Sequence, residues 1–386
     1  MRDATRHWLV SDEIDQWRLW LHDYGTGLSG EALGQCRRGG PFIYDAFAAY
    51  EAGLISGPNI AVMGSIGSGK STLVKMLALR ASRQEYGVVI VDPKGEYHEV
   101  ARAVGGSILE LTVGGTQWCN PFDGDRARDL LVALTLLELA LHRSVSEDEK
   151  YLFEREWNEV GGAERPLLRV YERLASSLLT EEVSSRRSLA LALRRFIEGD
   201  LRGLFDGCDP AVDLSRGLVV LDLSQLWSRG EFALACVATM AAAQRPTHGR
   251  RYLLIDEAWA VINDAAAARW LQGSWKMARA TGVSHVIVLH RWSDTESSAG
   301  ADSAHRARVM GLVRDCDTHF VFHLSANDAA LLTPILDLHP REQALIPELA
   351  RGSALVRYGP WRSVLEVRPL DAERALVDSD HAMRRS

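Results

Sequence analysis

The chain has 386 residues, of which 47% are hydrophobic, and this is enough for one large globular domain or two ordinary ones. Its formal net charge is -7, which excludes a protein that binds nucleic acid through an overall positive field. Five widely spaced cysteines without a CxxC pair argue against a disulfide framework or a zinc site. No signal peptide opens the chain, and the longest apolar run, 232–243, is too short to cross a bilayer. We therefore expect a cytoplasmic protein, or one peripheral at the inner face of the cell membrane.

The first predicted element is an amphipathic helix at 12–22, with Ser11 as its N-cap and apolar residues at helical spacing. Such a helix packs on the main domain or, as an alternative, docks on a partner or a membrane. Gly, Gln and Arg residues at 25–40 predict a loop. We predict that 1–50 form an N-terminal helical segment.

Short apolar runs alternate with helical stretches from residue 59 onwards. A strand at 59–63, a helix at 71–81 and a strand at 87–91 form a βαβ unit. Later strand candidates lie at 217–223, 252–255, 285–289 and 320–324. The pattern predicts an α/β fold with a mostly parallel sheet covered by helices on both faces.

The segment 126–205 differs because it lacks strand-like runs. Its helical candidates are 128–142, 146–160, 166–178 and 185–197. We predict an all-α insertion at 126–205 within a core formed by 51–125 and 206–386. Near the end of the chain, the apolar runs 353–357 and 363–368 flank a Gly-Pro turn signal and predict a C-terminal hairpin.

Residues 64–71 fit the phosphate-binding pattern GxxxxGK[ST] at every defined position, between a predicted strand and a predicted helix. Glycines let backbone amides approach phosphates closely, and the helix N-terminus adds positive potential. Lys70 is predicted to contact the β- and γ-phosphates of ATP, and Ser71 to coordinate Mg²⁺. The predicted nucleotide-binding residues are Gly64, Ser65, Ile66, Gly67, Ser68, Gly69, Lys70, Ser71 and Thr72. Lysine is scarce in the chain, yet three of its five lysines lie at 70–94.

The apolar strand at 252–255 ends in two carboxylates, Asp256 and Glu257, as a Walker B element requires. Asp256 is predicted to hold Mg²⁺ through water, and Glu257 to orient and deprotonate the attacking water. Two acidic residues at the end of a strand are by themselves a weak indication of a Walker B element. After a complete phosphate-binding loop they favour ATP hydrolysis, with ATP and Mg²⁺ as the cofactors.

An ordered set of motifs resembles the HerA–FtsK superfamily, and within it the ATPases that energise type IV secretion and conjugation. The set consists of the phosphate-binding loop, Asp92-Pro93-Lys94-Gly95-Glu96-Tyr97, Asn120-Pro121-Phe122-Asp123 and Asp256-Glu257-Ala258-Trp259. The resemblance implies a RecA-like core in a hexameric ring, with ATP between neighbouring subunits. It also implies that 92–96 follow the strand next to the phosphate-binding loop, which makes Asp92 and Glu96 candidates for the rim of the active site. A polar turn punctuated by Pro and Gly is the alternative interpretation.

The resemblance further implies an arginine that reaches into the neighbouring subunit's site. Arg279 occupies that place, with Arg308 and Arg314 as alternatives. The family's usual Thr-Gln sensor of the γ-phosphate is replaced here by Leu289-His290. His290 can form a hydrogen bond from that position or serve a structural role. The large N-terminal domain of the secretion ATPases has no counterpart in the residues before the core.

These patterns favour a ring-forming ATPase that transfers DNA or protein in a type IV secretion or conjugation-like system. The expected partners are other copies of the chain, the secretion machinery at the membrane, and a DNA or protein substrate. A DNA translocase unconnected to secretion is one alternative. An assembly protein that nucleotide locks in one conformation, with little hydrolysis, is another.

Overall fold

The computed structural model describes residues 27–28, 30–37, 40–160, 165–176, 183–205, 214, 217–227, 231–245, 249–290 and 310–378. The predicted N-terminal helix at 12–22 and the alternative arginine Arg308 lie outside the described residues.

One sheet of 11 strands organises the described residues. The strands are β1 Ala32–Cys36, β2 Pro41–Ile43, β3 Ile60–Met63, β4 Gly87–Asp92, β5 Ser107–Glu110, β6 Leu218–Asp222, β7 Arg251–Ile255, β8 Val283–Leu289, β9 Thr318–Phe322, β10 Ser353–Tyr358 and β11 Trp361–Val367. Their spatial order is β2-β1-β11-β10-β9-β3-β8-β7-β4-β6-β5. The strands from β9 to β5 in this order pair in parallel, whereas those from β2 to β9 pair antiparallel. The predicted mostly parallel sheet is thus confirmed, with an antiparallel extension at one side.

The helices cover both faces of this sheet. They are α1 Ala46–Glu51, α2 Lys70–Arg83, α3 His98–Ala103, α4 Arg126–Leu141, α5 Glu147–Val160, α6 Pro166–Ser176, α7 Val183–Ile197, α8 Phe232–Ala243, α9 Ala258–Ile262, α10 Ala265–Thr281, α11 Ala326–Leu336, α12 Pro340–Leu345 and α13 Arg374–Val377. Within the described residues, no helix is both long enough and apolar enough to span a bilayer.

Side-chain alternation along the strands divides the core into two layers. In β3, Ile60 and Val62 belong to the layer on the side of α2, whereas Ala61 and Met63 belong to the opposite layer. Successive side chains of a strand point to opposite faces, so a strand covered on both sides is apolar throughout. All four β3 residues are buried, which explains the unbroken apolar run in the sequence.

The predicted helical segment 126–205 contains α4 to α7 among its described residues. Apolar side chains of these helices, such as Leu136 and Phe153, join the same hydrophobic layer as Val91 and Leu253 of the sheet. The helices therefore pack on the sheet through a shared core. The division into core and insertion stays a prediction.

The N-terminal edge of the sheet differs from the prediction. Strands β1 and β2 and helix α1 occupy 32–51, where the sequence predicts a loop and a helical segment. β1 has the sequence ALGQC, which carries little strand signal, and it is stabilised by antiparallel pairing with β11 of the C-terminal hairpin. That hairpin, β10 and β11, is confirmed.

The position of β4 is a second correction. The resemblance places 92–96 after the strand next to the phosphate-binding loop, but β8 and β7 separate β4 from β3. The prediction fails because β8, more than a hundred residues later in the chain, takes the place beside β3. β4 instead pairs with β7, the strand that ends before Asp256.

Candidate nucleotide-binding site

The loop at 64–69 turns from the end of β3 into the start of α2, as the motif predicts. Close packing requires glycine at two positions of this loop. A Cβ on Gly64 would lie 2.6 Å from Cβ of Phe322, and one on Gly69 would lie 3.0 Å from Cα of Gly352. Gly69 also has a φ of 113°, which strains any other residue. The loop therefore keeps its shape only with glycine at these positions.

Lys70 carries the positive charge at the centre of this loop. The residue is 3% exposed, and its ammonium donates hydrogen bonds to the carbonyls of Gly64 at 2.7 Å and Ser65 at 2.8 Å. Burial lowers the pKa of Lys70 to about 8, although the carboxylates of Asp256 and Glu257 oppose this shift. A buried ammonium that meets mainly neutral carbonyls is stabilised by an incoming anion, so the loop fits a phosphate.

ATP binding is expected to weaken as the pH rises through about 8, because Lys70 loses its proton there in the free protein. A bound triphosphate favours the charged ammonium, so affinity should fall by up to about tenfold per pH unit above that value. Isothermal titration with ATP across this range, in two buffers of different ionisation enthalpy, measures the change and the coupled proton uptake.

The Lys70→Arg variant is the control for this titration, because its guanidinium stays charged and its remaining affinity should show no such inflection. An affinity of the unmodified chain that stays constant from about pH 7 to about pH 9.5 would contradict the assignment. The effect of Lys70 on folding stability runs in the opposite direction to its effect on ATP affinity. Between the folded pKa of about 8 and the ordinary value of 10.5, the unfolded chain binds more protons, so this group's contribution to stability rises with pH.

Asp256 lies directly after β7 and is 6% exposed. Its carboxylate accepts hydrogen bonds from the backbone amide of Glu257 at 2.9 Å and from the phenol of Tyr97 at 2.9 Å. Burial and the neighbouring charge of Glu257 raise the pKa of Asp256. A bound cation would offset both effects, so the carboxylate fits the predicted role in holding Mg²⁺ together with the hydroxyl of Ser71 in the first turn of α2.

Asp256, Glu257 and His290 each present one ligand atom, and these three atoms lie within 4.8 Å of one another. Mg²⁺ prefers oxygen ligands to imidazole, so this trio does not change the assignment of Asp256 and Ser71. The second group of this kind in the described residues is His98, Glu110 and Asp222. There His98 already pairs with Asp222 at 2.7 Å, and nothing in that group points to a metal.

Glu257 has both carboxylate oxygens engaged. Oε1 accepts a hydrogen bond from Nε2 of His290 at 2.6 Å and forms an ion pair with Lys94. Oε2 accepts a hydrogen bond from the indole of Trp259 at 2.6 Å. Burial raises the pKa of Glu257, but the hydrogen bonds and charges of His290 and Lys94 outweigh it and lower the pKa to about 2. A carboxylate held in this way is a weak base, so it must exchange partners before it accepts a proton.

The backbone of Glu257 is itself unusual, with a φ of 51° in the left-handed region. A non-glycine residue in this region costs about 1–2 kcal/mol, and such residues concentrate at functional sites. The conformation turns the chain sharply from β7 into α9. Glu257 therefore lies at the edge of the sheet between the ends of β4 and β8.

Asp92 and Glu96 occupy different environments. The buried carboxylate of Asp92 accepts hydrogen bonds from the amides of Lys94 at 3.1 Å, Gly95 at 2.9 Å and Tyr97 at 3.0 Å. It stabilises the turn, as the polar-turn interpretation predicts. Glu96 is half-buried, and burial together with the charge of Asp256 raises its pKa. A role for either residue at the rim of the site stays a prediction.

Arg279 lies far from the phosphate-binding loop of its own chain. It is in the last turn of α10, which leads into the start of β8, whereas the loop follows the end of the parallel neighbour β3. Arg279 and Arg314 line a cavity of about 390 Å³ beside Asn59, at the start of β3. The described structure thus separates Arg279 and Arg314 from the phosphate-binding loop by the full length of a strand.

Three residues at the site, Lys94, Tyr97 and Trp259, were not among the predicted site residues. Each lies inside a motif that carries the family resemblance. The clustering of lysines at 70–94 is the sequence signal that points to Lys94. No comparable signal identifies the contacts of Tyr97 or Trp259, because these depend on how β4, β7 and β8 align.

The sheet order, the loop between β3 and α2 and the carboxylates after β7 define a RecA-like P-loop ATPase fold. Residues 57–194 match the family model described as "Helicase HerA, central domain". Over these residues, the match agrees with the resemblance to HerA that the motifs indicate. No curated protein sequence matches the chain.

Solved structures show the same fold. VirB4 of Thermoanaerobacter pseudethanolicus is 22% identical, with a TM-score of 0.75 over 91% of this chain and 99% of that chain. The bacterial conjugative coupling protein TrwBdeltaN70 is 15% identical, with a TM-score of 0.55 over 80% of this chain and 84% of that chain. The plasmid coupling protein TrwB in complex with ADP and Mg²⁺ is 16% identical, with a TM-score of 0.54 over 82% of this chain and 87% of that chain. The predicted fold class is confirmed.

Proposed function

We propose that this chain is an ATPase that works as a closed ring of copies, a hexamer, and powers transfer of DNA or protein in a type IV secretion or conjugation-like system. The observation that carries the proposal is the convergence of Lys70, Asp256 and Glu257 at one edge of the sheet. β3 and β7 both run parallel to β8, so Lys70 after β3 and the two carboxylates after β7 lie at the same edge of the sheet. The charges of both carboxylates also raise the pKa of Lys70 against the effect of burial. The ordered motifs and the fold shared with VirB4 and TrwB support the secretion and conjugation class.

ATP and Mg²⁺ are the proposed cofactors. The backbone amides of 64–69 and the ammonium of Lys70 would hold the phosphates, and Ser71 and Asp256 would hold Mg²⁺. When bound, Mg²⁺ would neutralise charge on the β- and γ-phosphates. Glu257, once it leaves Lys94, orients the attacking water and accepts its proton. His290, the residue after β8, forms a hydrogen bond with Glu257, which suits a residue that senses the state of the site.

The position of Arg279 supports the proposal of ring assembly. An arginine that stabilises the transferring phosphoryl group must lie against it, and Arg279 is at the opposite edge of its own sheet. Head-to-tail contacts that close by rotation bring that edge of one copy to the loop edge of the next. The proposed partners are therefore other copies of the chain, together with secretion machinery at the inner face of the membrane.

Phosphate release per chain is expected to rise with protein concentration until rings predominate, because each site is completed by its neighbour. A phosphate assay over a dilution series, with mass followed by light scattering, measures this dependence. Turnover per chain that stays constant down to the monomer would contradict the ring mechanism. Parallel series with single- and double-stranded DNA test the alternative of a DNA translocase, for which strong stimulation is expected.

The occupied carboxylate of Glu257 favours a second candidate function. A protein that keeps its base in an ion pair even with ATP bound would use nucleotide to lock an assembly rather than to drive motion. Such a protein binds ATP tightly but releases no more phosphate than its Glu257→Gln variant. The same assay therefore separates the two functions.

A further inference from the structure

Lys94 is a second lysine at the site, beside Lys70, and no role proposed above uses its charge. Its backbone is fixed, because its amide and that of Gly95 donate hydrogen bonds to the buried carboxylate of Asp92 at 3.1 and 2.9 Å. Its side chain is 42% exposed, whereas its partner Glu257 is 3% exposed. A long, solvent-exposed stem on a fixed turn leaves the ammonium able to change partners.

The ion pair of Lys94 lies beside the end of β8, which contacts the phosphate-binding loop. Lys94 forms an ion pair with Oε1 of Glu257, which His290 also holds. Leu289, the residue before His290, accepts a hydrogen bond at 3.2 Å from the amide of Gly64 in the phosphate-binding loop. The positive charge of Lys94 also lowers the pKa of Lys70. The ammonium of Lys94 is thus close to the group that the motif assigns to the β- and γ-phosphates. A triphosphate at Lys70 would present several negative charges to Lys94, in competition with the single charge of Glu257.

We propose that Lys94 is a further catalytic residue, which leaves Glu257 and contacts the γ-phosphate when ATP binds. This inference rests on the proposed ATPase function. The exchange adds a cation at the transferring phosphoryl group and removes one of the two groups that hold Oε1 of Glu257, which makes this carboxylate a stronger base for the attacking water. ADP has no γ-phosphate, so Lys94 stays on Glu257 when ADP is bound. The base is thereby strengthened only in the presence of the nucleotide that is hydrolysed.

The Lys94→Met variant tests the proposal, because it should weaken the binding of an ATP analogue but not the binding of ADP. Binding of a non-hydrolysable ATP analogue should weaken by about tenfold, whereas ADP binding should change by less than about twofold. Phosphate release from ATP should fall at least about tenfold. Lys94→Arg, which keeps the charge, should restore part of both losses. Lys150→Met is the matched control, because Lys150 is exposed on α5 and should show neither effect.

A Lys94 that does not contact the γ-phosphate gives a different result in the same experiment. If Lys94 only restrains Glu257, Lys94→Met leaves the ratio of analogue to ADP affinity unchanged and raises phosphate release, and either finding overturns the proposal. An unmodified chain that binds neither nucleotide overturns the ATPase function itself. An unmodified chain that hydrolyses ATP, beside a Lys94→Met variant with the same nucleotide preference, overturns the role of Lys94 alone.

Discussion

Replacing Glu257 with glutamine is expected to lower kcat for ATP hydrolysis by about 10²- to 10⁴-fold, with ATP affinity kept within about threefold. Glutamine has nearly the shape of glutamate and can still accept the hydrogen bond that the indole of Trp259 donates. It cannot accept a proton from water at neutral pH. The variant should therefore bind nucleotide and stall before the chemical step.

A phosphate-release assay measures kcat, and nucleotide titration of the same preparation measures ATP affinity. Glu147→Gln makes the same chemical change on the exposed surface of α5 and should leave both unchanged. The rate should fall whether or not Lys94 acts as proposed, since the proton acceptor itself is lost. A Glu257→Gln variant that keeps more than about a tenth of the turnover would remove Glu257 from the role of general base.

Arg279→Ala is expected to lower kcat by about 10³-fold or more in the assembled protein, since a trans arginine stabilises the charge of the transferring phosphoryl group. ATP binding by the isolated chain should be unaffected, because Arg279 lies at the edge of the sheet opposite to the phosphate-binding loop. Steady-state hydrolysis at ring-forming concentration and nucleotide titration at low concentration measure these two outcomes.

Subunit mixing distinguishes a trans role from a structural one. In rings formed from equal amounts of Arg279→Ala and Glu257→Gln chains, about a quarter of the sites combine an intact Glu257 with an intact Arg279 from the neighbour. Activity should therefore reappear in the mixture, although each variant alone is inactive. Arg314→Ala is the matched control, because Arg314 lines the same cavity. Arg314→Ala alone should therefore keep its activity. An Arg314→Ala chain that is inactive alone but regains activity with Glu257→Gln would transfer the assignment to Arg314, and no recovery with either arginine variant would contradict the trans mechanism.

The sequence by itself determined the local parts of the site. The phosphate-binding loop is a run of consecutive residues whose glycines, lysine and serine act through one turn between a strand and a helix. The carboxylates Asp256 and Glu257 likewise follow one apolar strand directly. Most buried strands were predictable too, because a strand covered on both faces is apolar at every position.

Only the tertiary structure decided which of these parts meet. Strand order depends on pairing between distant segments, so β8 rather than β4 lies beside β3. The same pairing brings β4 beside β7, and this places Lys94 and Tyr97 against Glu257 and Asp256. β1 was missed because its weak strand pattern is stabilised by β11, about 330 residues later in the chain. The separation of Arg279 from the loop has the same origin, since parallel strands all begin at one edge of the sheet and all end at the opposite edge.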